Sequence, residues 1–302
     1  MNAPDHHSPG ADPARLLDIT LSGGALRDWQ AIAATHLWAS ELGRPIASGT
    51  TTAGTHWARF AAQAGKAAQI AEGAAALSLD AAALAPGAHL TDYRLLAMDM
   101  DSTLISIECV DEIADYCGKK AEVAAITEAA MRGEITDYNE SLRRRVALLA
   151  GLDATVLERV YTERLKINPG ARELIDTAKS VGLKTLLVSG GFTFFTSRLK
   201  AELGLDYTRS NELEIIDGKL TGRMVNELIV NAQVKRQTLE ATCTLLGCQP
   251  SQAIAMGDGA NDLEMMRVSG LSVAYHAKPA VAAQANTRIR FGGLDTVLAW
   301  LR

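Results

Sequence analysis

From Asp99 onward, short apolar runs alternate with segments whose apolar residues recur at helical spacing. The runs at 94–99, 184–189, 252–256, 271–274 and 287–290 predict strands. Helices are predicted over 170–181, 193–203, 233–246, 261–268 and 294–301. Strands alternating with helices imply an α/β fold, a doubly wound parallel sheet with helices on both faces. In such sheets ligands bind at the carboxyl ends of the strands. Two segments break the pattern. Residues 108–166 contain no strand and read as four helices, Cys109–Tyr116, Lys120–Met131, Tyr138–Leu149 and Thr155–Leu165. They predict an inserted helical cap that can close over a site and exclude water. Leu213–Arg223, with Asp217-Gly218 between short apolar runs, predicts a β-hairpin.

Residues 1–90 are less patterned. Leu16–Leu21 reads as a strand, Leu26–Leu42 as a helix, and the Ala/Gly-rich stretch 61–78 is compatible with helix. Ala82–Thr91, with Pro86-Gly87, reads as a linker. The expected organisation is therefore a small N-terminal appendage over 1–90, regulatory or dimer-forming, and a capped core over 91–302.

Composition narrows the functional classes. Of 302 residues, 48 % are hydrophobic and 22 % charged, an ordinary globular balance. Net charge is −5 with no Lys/Arg block, which argues against a nucleic-acid surface. No apolar run approaches the ~18 residues of a membrane span. Met1–Arg15 is polar and lacks an apolar signal core. The four cysteines, Cys109, Cys117, Cys243 and Cys248, show no C-x-x-C spacing, so neither a zinc site nor a redox pair is indicated. The expectation is a reduced, cytoplasmic protein acting on a small molecule, with a homodimer left open.

Four motifs carry candidate chemistry, each at the end of a predicted strand or the start of a helix. Asp99-Met100-Asp101-Ser102-Thr103 places two carboxylates one residue apart, able to divide nucleophilic attack and proton transfer between them. A calcium loop starting at Asp99 fails, because Leu104 and Val110 occupy the positions that need Gly and Glu. Val188-Ser189-Gly190-Gly191 offers a hydroxyl and glycine N–H groups that suit phosphate oxygens. Lys235 supplies a compact positive charge. Gly257-Asp258-Gly259-Ala260-Asn261-Asp262 brings hard oxygen donors suited to Mg²⁺. Taken singly, each could be a turn, a capped helix start or a solvated charge. Together they match the needs of phosphomonoester cleavage: charge neutralisation, an in-line carboxylate and a proton donor.

In this order the motifs resemble those of the haloacid-dehalogenase-like phosphatase superfamily over residues 94–290. The helical insertion is similar to the cap of the branch whose members hydrolyse phosphoserine. Glu108 corresponds to that branch's acidic residue at the cap entrance. Met131-Arg132-Gly133-Glu134 and Ser141–Val146 resemble its substrate-reading cap helices. The resemblance implies Mg²⁺-dependent hydrolysis of L-phosphoserine through an aspartyl phosphate, the last step of serine synthesis. It makes Asp99 the nucleophile and Asp101 the general acid, then base. Ser189, Gly190 and Lys235 would bind phosphate. Asp99, the backbone carbonyl of Asp101 and Asp258 would hold the metal, with Asn261 and Asp262 supporting the metal and phosphate shell. Glu108 would meet the substrate ammonium and Arg145 its carboxylate, while Met131 and Tyr138 line the pocket. Arg143 and Arg144 adjoin Arg145, and only one of the three can point inward. Tyr138 stands where the family often has an apolar ring, and a packing role remains open for it and for Met131. Superfamily members that act on another small phosphomonoester, or transfer its phosphate to an acceptor alcohol, are the alternative. The branch often carries an amino-acid-binding domain at the N-terminus; residues 1–90 do not match its pattern.

Overall fold

The computed structural model describes residues 14–131 and 134–301, without the side chains of Ala130 and Met131. The N-terminal region builds β1 (Leu16–Ser22), α1 (Trp29–Thr35), α2 (Leu37–Ser40), β2 (Ala47–Thr50), β3 (His56–Gln63), α3 (Ala67–Ala75) and β4 (Asp80–Leu84). Its four strands pair antiparallel in the order β2-β3-β1-β4, a split βαβ arrangement with helices between β1 and β2 and between β3 and β4. One face packs Ile19, Leu21 and Phe60 against Ile32 and Ile70.

Three expectations for this region differ from the structure. The helix expected over Leu26–Leu42 is a 3-10 turn followed by α1 and α2, broken at His36, which is extended at φ −123° and ψ 118°. The stretch 61–78 begins as the end of β3 and becomes α-helical only from Ala67. The linker expected from Ala82 begins inside β4.

The core adds β5 (Leu95–Met98), then the cap helices α4 (Cys109–Asp115), α5 (Lys120–Met131), α6 (Tyr138–Ala147) and α7 (Thr155–Arg159). It continues through α8 (Ala171–Ser180), β6 (Lys184–Phe192), α9 (Thr193–Leu203), β7 (Tyr207–Asn211) and the hairpin β8 (Leu213–Ile216)–β9 (Lys219–Met224). The chain closes with α10 (Ala232–Leu245), β10 (Ala253–Gly257), α11 (Leu263–Val268), β11 (Leu271–Tyr275), α12 (Pro279–Ala282), β12 (Thr287–Ile289) and α13 (Thr296–Trp300). The last helix is shorter than the expected 294–301.

Six strands pair in the order β12-β11-β10-β5-β6-β7, every ladder parallel, as the alternating pattern predicts. Both faces are covered: Leu95 and Ala97 pack with Val234 and Leu239, while Leu96 and Met98 pack with the opposite cluster. That explains why β5 and β10 read as continuous apolar runs. From β5 the chain proceeds outward through β6 and β7, then returns to β10 and proceeds the other way. The switch point lies between β5 and β10, where a crevice is expected beyond their carboxyl ends.

The cap leaves and rejoins the core through two stems that lie side by side, with an antiparallel bridge between Ile105 and Ile167. The hairpin is stitched to the cap. Gly151 N–H donates to Leu220 O at 2.8 Å, Leu220 N–H to Leu152 O at 2.8 Å, and Ala154 N–H to Gly218 O at 2.8 Å. The two interruptions of the sequence pattern thus meet in space.

Buried carboxylates fasten the antiparallel sheet to the core. Asp80 accepts N–H bonds from Arg290 at 2.6 Å, Phe291 at 3.3 Å and Gly292 at 2.8 Å. Thr51 and Thr55 donate their hydroxyls to Asp295 at 2.9 and 2.8 Å. Asp80→Ala strands three N–H groups and is expected to cost about 2–4 kcal/mol. Urea denaturation checks this, and an unchanged midpoint would assign the attachment to the Asp295 contacts instead.

Candidate active site

The carboxyl ends of β5, β6 and β10 bring four sequence motifs into one buried cluster. Asp99, the first residue past β5, is 5 % exposed. Its Oδ1 accepts the Met100 N–H at 2.7 Å and lies 2.8 Å from Lys235 Nζ. Lys235 projects from the first turn of α10 with no exposed surface and bridges to Asp262 Oδ1 at 2.7 Å. Asp262 in turn accepts Gly259 N–H at 3.0 Å, which fixes the turn after β10. Asp258 accepts the Thr103 hydroxyl at 3.1 Å. Asp101 accepts the N–H of Cys109, the first residue of α4, at 3.2 Å.

Electrostatics follow from burial and crowding. Burial, then the negative charge of Asp262, holds Asp99 well above the carboxylate range, with Lys235 opposing. Burial, then Glu108, pushes Asp101 up to about 7. Burial, then Asp262 and Glu108, pushes Asp258 up to about 7. Burial pulls Lys235 down, but Asp262 and Asp99 outweigh it and keep the ammonium above the ordinary lysine range. One lysine therefore faces several acids. Asp99, Asp258 and Asp262 each bring one carboxylate oxygen within 4.8 Å of the others. A hard divalent cation fits that donor set and would relieve the repulsion that Lys235 leaves.

Beside the carboxylates lies the carboxyl end of β6, where its register with β7 shifts between Val188 and Phe192. Ser189 is buried, and its Oγ accepts Gly191 N–H at 2.8 Å. A Cβ on Gly191 would meet Met100 Cε at 2.5 Å and Asp101 Oδ2 at 2.9 Å. At Gly190 a Cβ would collide with the Tyr138 hydroxyl. Only glycine lets the core loop and the cap approach this closely. Tyr138 opens α6, and burial pushes its hydroxyl up to about 12. A second cap–core contact joins Asn231 Nδ2 to Asn139 Oδ1 at 3.1 Å.

On the cap side, Glu108 accepts the Ser102 hydroxyl at 2.7 Å, and burial raises its carboxyl. Ser102 adopts φ +55°, a conformation uncommon for a non-glycine residue, within the Asp99–Thr103 motif. Arg143 and Arg144 are exposed and Arg144 pairs with Glu140 at 2.7 Å, whereas Arg145 is half-buried. Asn261 lies against Gly259 within its own turn, and among the described residues no hydrogen bond joins it to Asp99 or Lys235. The Met131 side chain and Arg132-Gly133 lie outside the described residues.

Sequence reasoning missed several supports. Asn211 donates to Gly190 O at 2.7 Å and accepts Val230 N–H at 2.8 Å, holding the Ser189–Gly191 end of β6 against the segment before α10. Asn168 donates to Thr103 O at 2.8 Å. A cavity of about 580 Å³ between α3, β4 and residues 282–288 shares no residue with this cluster and is walled chiefly by alanines.

A parallel sheet with this cluster at its switch point defines a class. A family model described as haloacid dehalogenase-like hydrolase matches residues 96–267, and the chain belongs to that family. It is a hydrolase. Within the family its similarity is to phosphoserine phosphatases. A protein of that name from Polaromonas sp. (strain JS666) is 63 % identical over 216 residues, covering 70 % of this chain and 92 % of the relative. The solved structure of a probable phosphoserine phosphatase from Vibrio cholerae, in unliganded form, is 37 % identical, with a TM-score of 0.76 over 98 % of this chain and 89 % of that one. A family hydrolase from Salmonella enterica serovar Typhi superposes with a TM-score of 0.82 at 30 % identity, over 95 % and 98 % of the two chains. Among the described residues no helix is long and apolar enough to cross a membrane.

Proposed function

We propose that the chain hydrolyses L-phosphoserine to serine and phosphate, with Mg²⁺ as cofactor, in the last step of serine synthesis in the cytoplasm. The observation that carries the reading is a carboxylate–lysine–carboxylate bridge, Asp99–Lys235–Asp262, beneath a cap that holds Glu108 and Arg145. The bridge suits a phosphoryl group. The two cap charges suit an ammonium and a carboxylate on the same small molecule.

Asp99 attacks phosphorus, the bond to the serine oxygen breaks, and an aspartyl phosphate forms. Asp101 gives its proton to that leaving oxygen and then takes one from the water that hydrolyses the intermediate. A carboxyl near 7 serves both tasks. Ser189, Gly190 and Lys235 hold the phosphoryl oxygens, and Asp262 keeps the lysine in place. Mg²⁺ would be held by Asp99, the backbone carbonyl of Asp101 and Asp258, and when bound it neutralises phosphoryl charge. Asn261 supports this shell, while Met131 and Tyr138 line the substrate pocket. Residues 1–90 stand outside the chemistry as a regulatory or dimer-forming appendage.

The test compares kcat/KM for L-phosphoserine with that for O-phosphoethanolamine, which lacks only the carboxylate. Loss of a buried charge-assisted contact to Arg145 is expected to lower kcat/KM by about 30- to 1,000-fold. Equal rates would keep the phosphatase chemistry and point to a different phosphomonoester.

A further inference from the structure

Arg145, on α6, exerts its charge on Asp111, on α4. Arg145 Nε and Asp111 Oδ1 are both buried, and among the described residues neither has a hydrogen-bond partner. Buried unpaired polar atoms of charged groups are costly and uncommon in folded proteins, so their presence calls for a reason. The charged residues next to them in sequence are paired elsewhere. Glu112 pairs with Lys120 at 3.0 Å and with Arg164 at 2.6 Å, and Arg144 pairs with Glu140. Arg145 is the strongest charge acting on Asp111, ahead of Lys120. Asp111 also lies three residues beyond Glu108, in the first turn of α4, and its charge acts on Glu108.

We propose that Asp111 is the positioning residue for Arg145. When substrate arrives, Asp111 Oδ1 accepts the Arg145 Nε–H, and the two terminal nitrogens of the guanidinium are left to grip the substrate carboxylate side by side. Arginine's planar fork allows this division, because Nε–H and the Nη groups point in fixed, different directions. Asp111 does not touch the substrate, and its role rests on the assignment of Arg145 as carboxylate reader.

Asp111→Ala, assayed on the full chain, tests the role. The expected result is a KM for L-phosphoserine raised about 10- to 100-fold with kcat changed little. For O-phosphoethanolamine, kcat/KM should equal that of the parent, because that substrate offers Arg145 nothing to bind. This second rate also verifies that the variant is folded. Asp111→Asn, whose amide oxygen can still accept the Arg145 Nε–H, should stay within about fivefold of the parent on both substrates. Equal losses on both substrates would overturn the proposal in favour of a structural or ammonium-binding role. No loss on either substrate with Asp111→Ala would overturn it as well. If the parent itself does not prefer L-phosphoserine, the Arg145 assignment falls and this role falls with it. A parent that keeps the preference isolates failure to Asp111 alone.

Discussion

Replacing Asp99 by Asn is expected to lower kcat by more than about 10,000-fold, because a neutral amide cannot attack phosphorus. The fold should survive the change. Asp99 Oδ1 accepts the Met100 N–H and the Lys235 ammonium, and an amide oxygen in the same place can accept both. Removing one of several crowded negative charges also relieves repulsion with Asp258 and Asp262. The variant should therefore bind phosphoserine in the presence of Mg²⁺, measurable by calorimetry, without turning it over. Acid quenching of the parent with labelled substrate should leave phosphate on the protein, and quenching of the variant should leave none. Turnover within about 100-fold of the parent, with deamidation excluded by mass, would show that another group attacks.

The legible parts of this chain were those where one physical signal dominated. Leu95–Met98 and Ala253–Gly257 are buried on both faces of a parallel sheet, so every position is apolar or small, and the run is visible without context. The chemistry was legible because its acids, hydroxyl and glycines sit in short contiguous segments at strand ends. The antiparallel sheet was not. β4 is Asp-Ala-Ala-Ala-Leu and β3 contains three alanines, so residues with helical propensity form strands only because β1 pairs with both. β7, Tyr-Thr-Arg-Ser-Asn, escaped notice as a polar edge strand with one buried residue. Asn211, at its end, gains its role from Gly190, 21 residues earlier, and no local pattern records that meeting. Asp111 differs: it lies beside Glu108 in sequence, but its unpaired oxygen is visible only in three dimensions.

The second large effect is expected at Lys235. Lys235→Met should lower kcat/KM by about 1,000-fold, because phosphoryl charge then meets Asp99 and Asp262 with no fixed ammonium between them. It should also destabilise the protein. Breaking a buried charge cluster from one side leaves uncompensated carboxylates and costs about 3–5 kcal/mol. The sign of the pH dependence separates this cause from simple misfit of a methionine. Asp99 already titrates above its ordinary range despite Lys235, and the lysine pulls it down. Without that pull the acid rises further, so the folded state binds its proton more tightly than the unfolded state does. Stability then falls as pH rises from the ordinary carboxylate range towards the raised value. In urea titrations with divalent ions chelated, the deficit of the variant relative to the parent should be small near about pH 5 and larger near about pH 8. A deficit equal at both would assign the loss to packing. A larger deficit at the acidic end would overturn the electrostatic account, since protonating Asp99 is what should make methionine tolerable there.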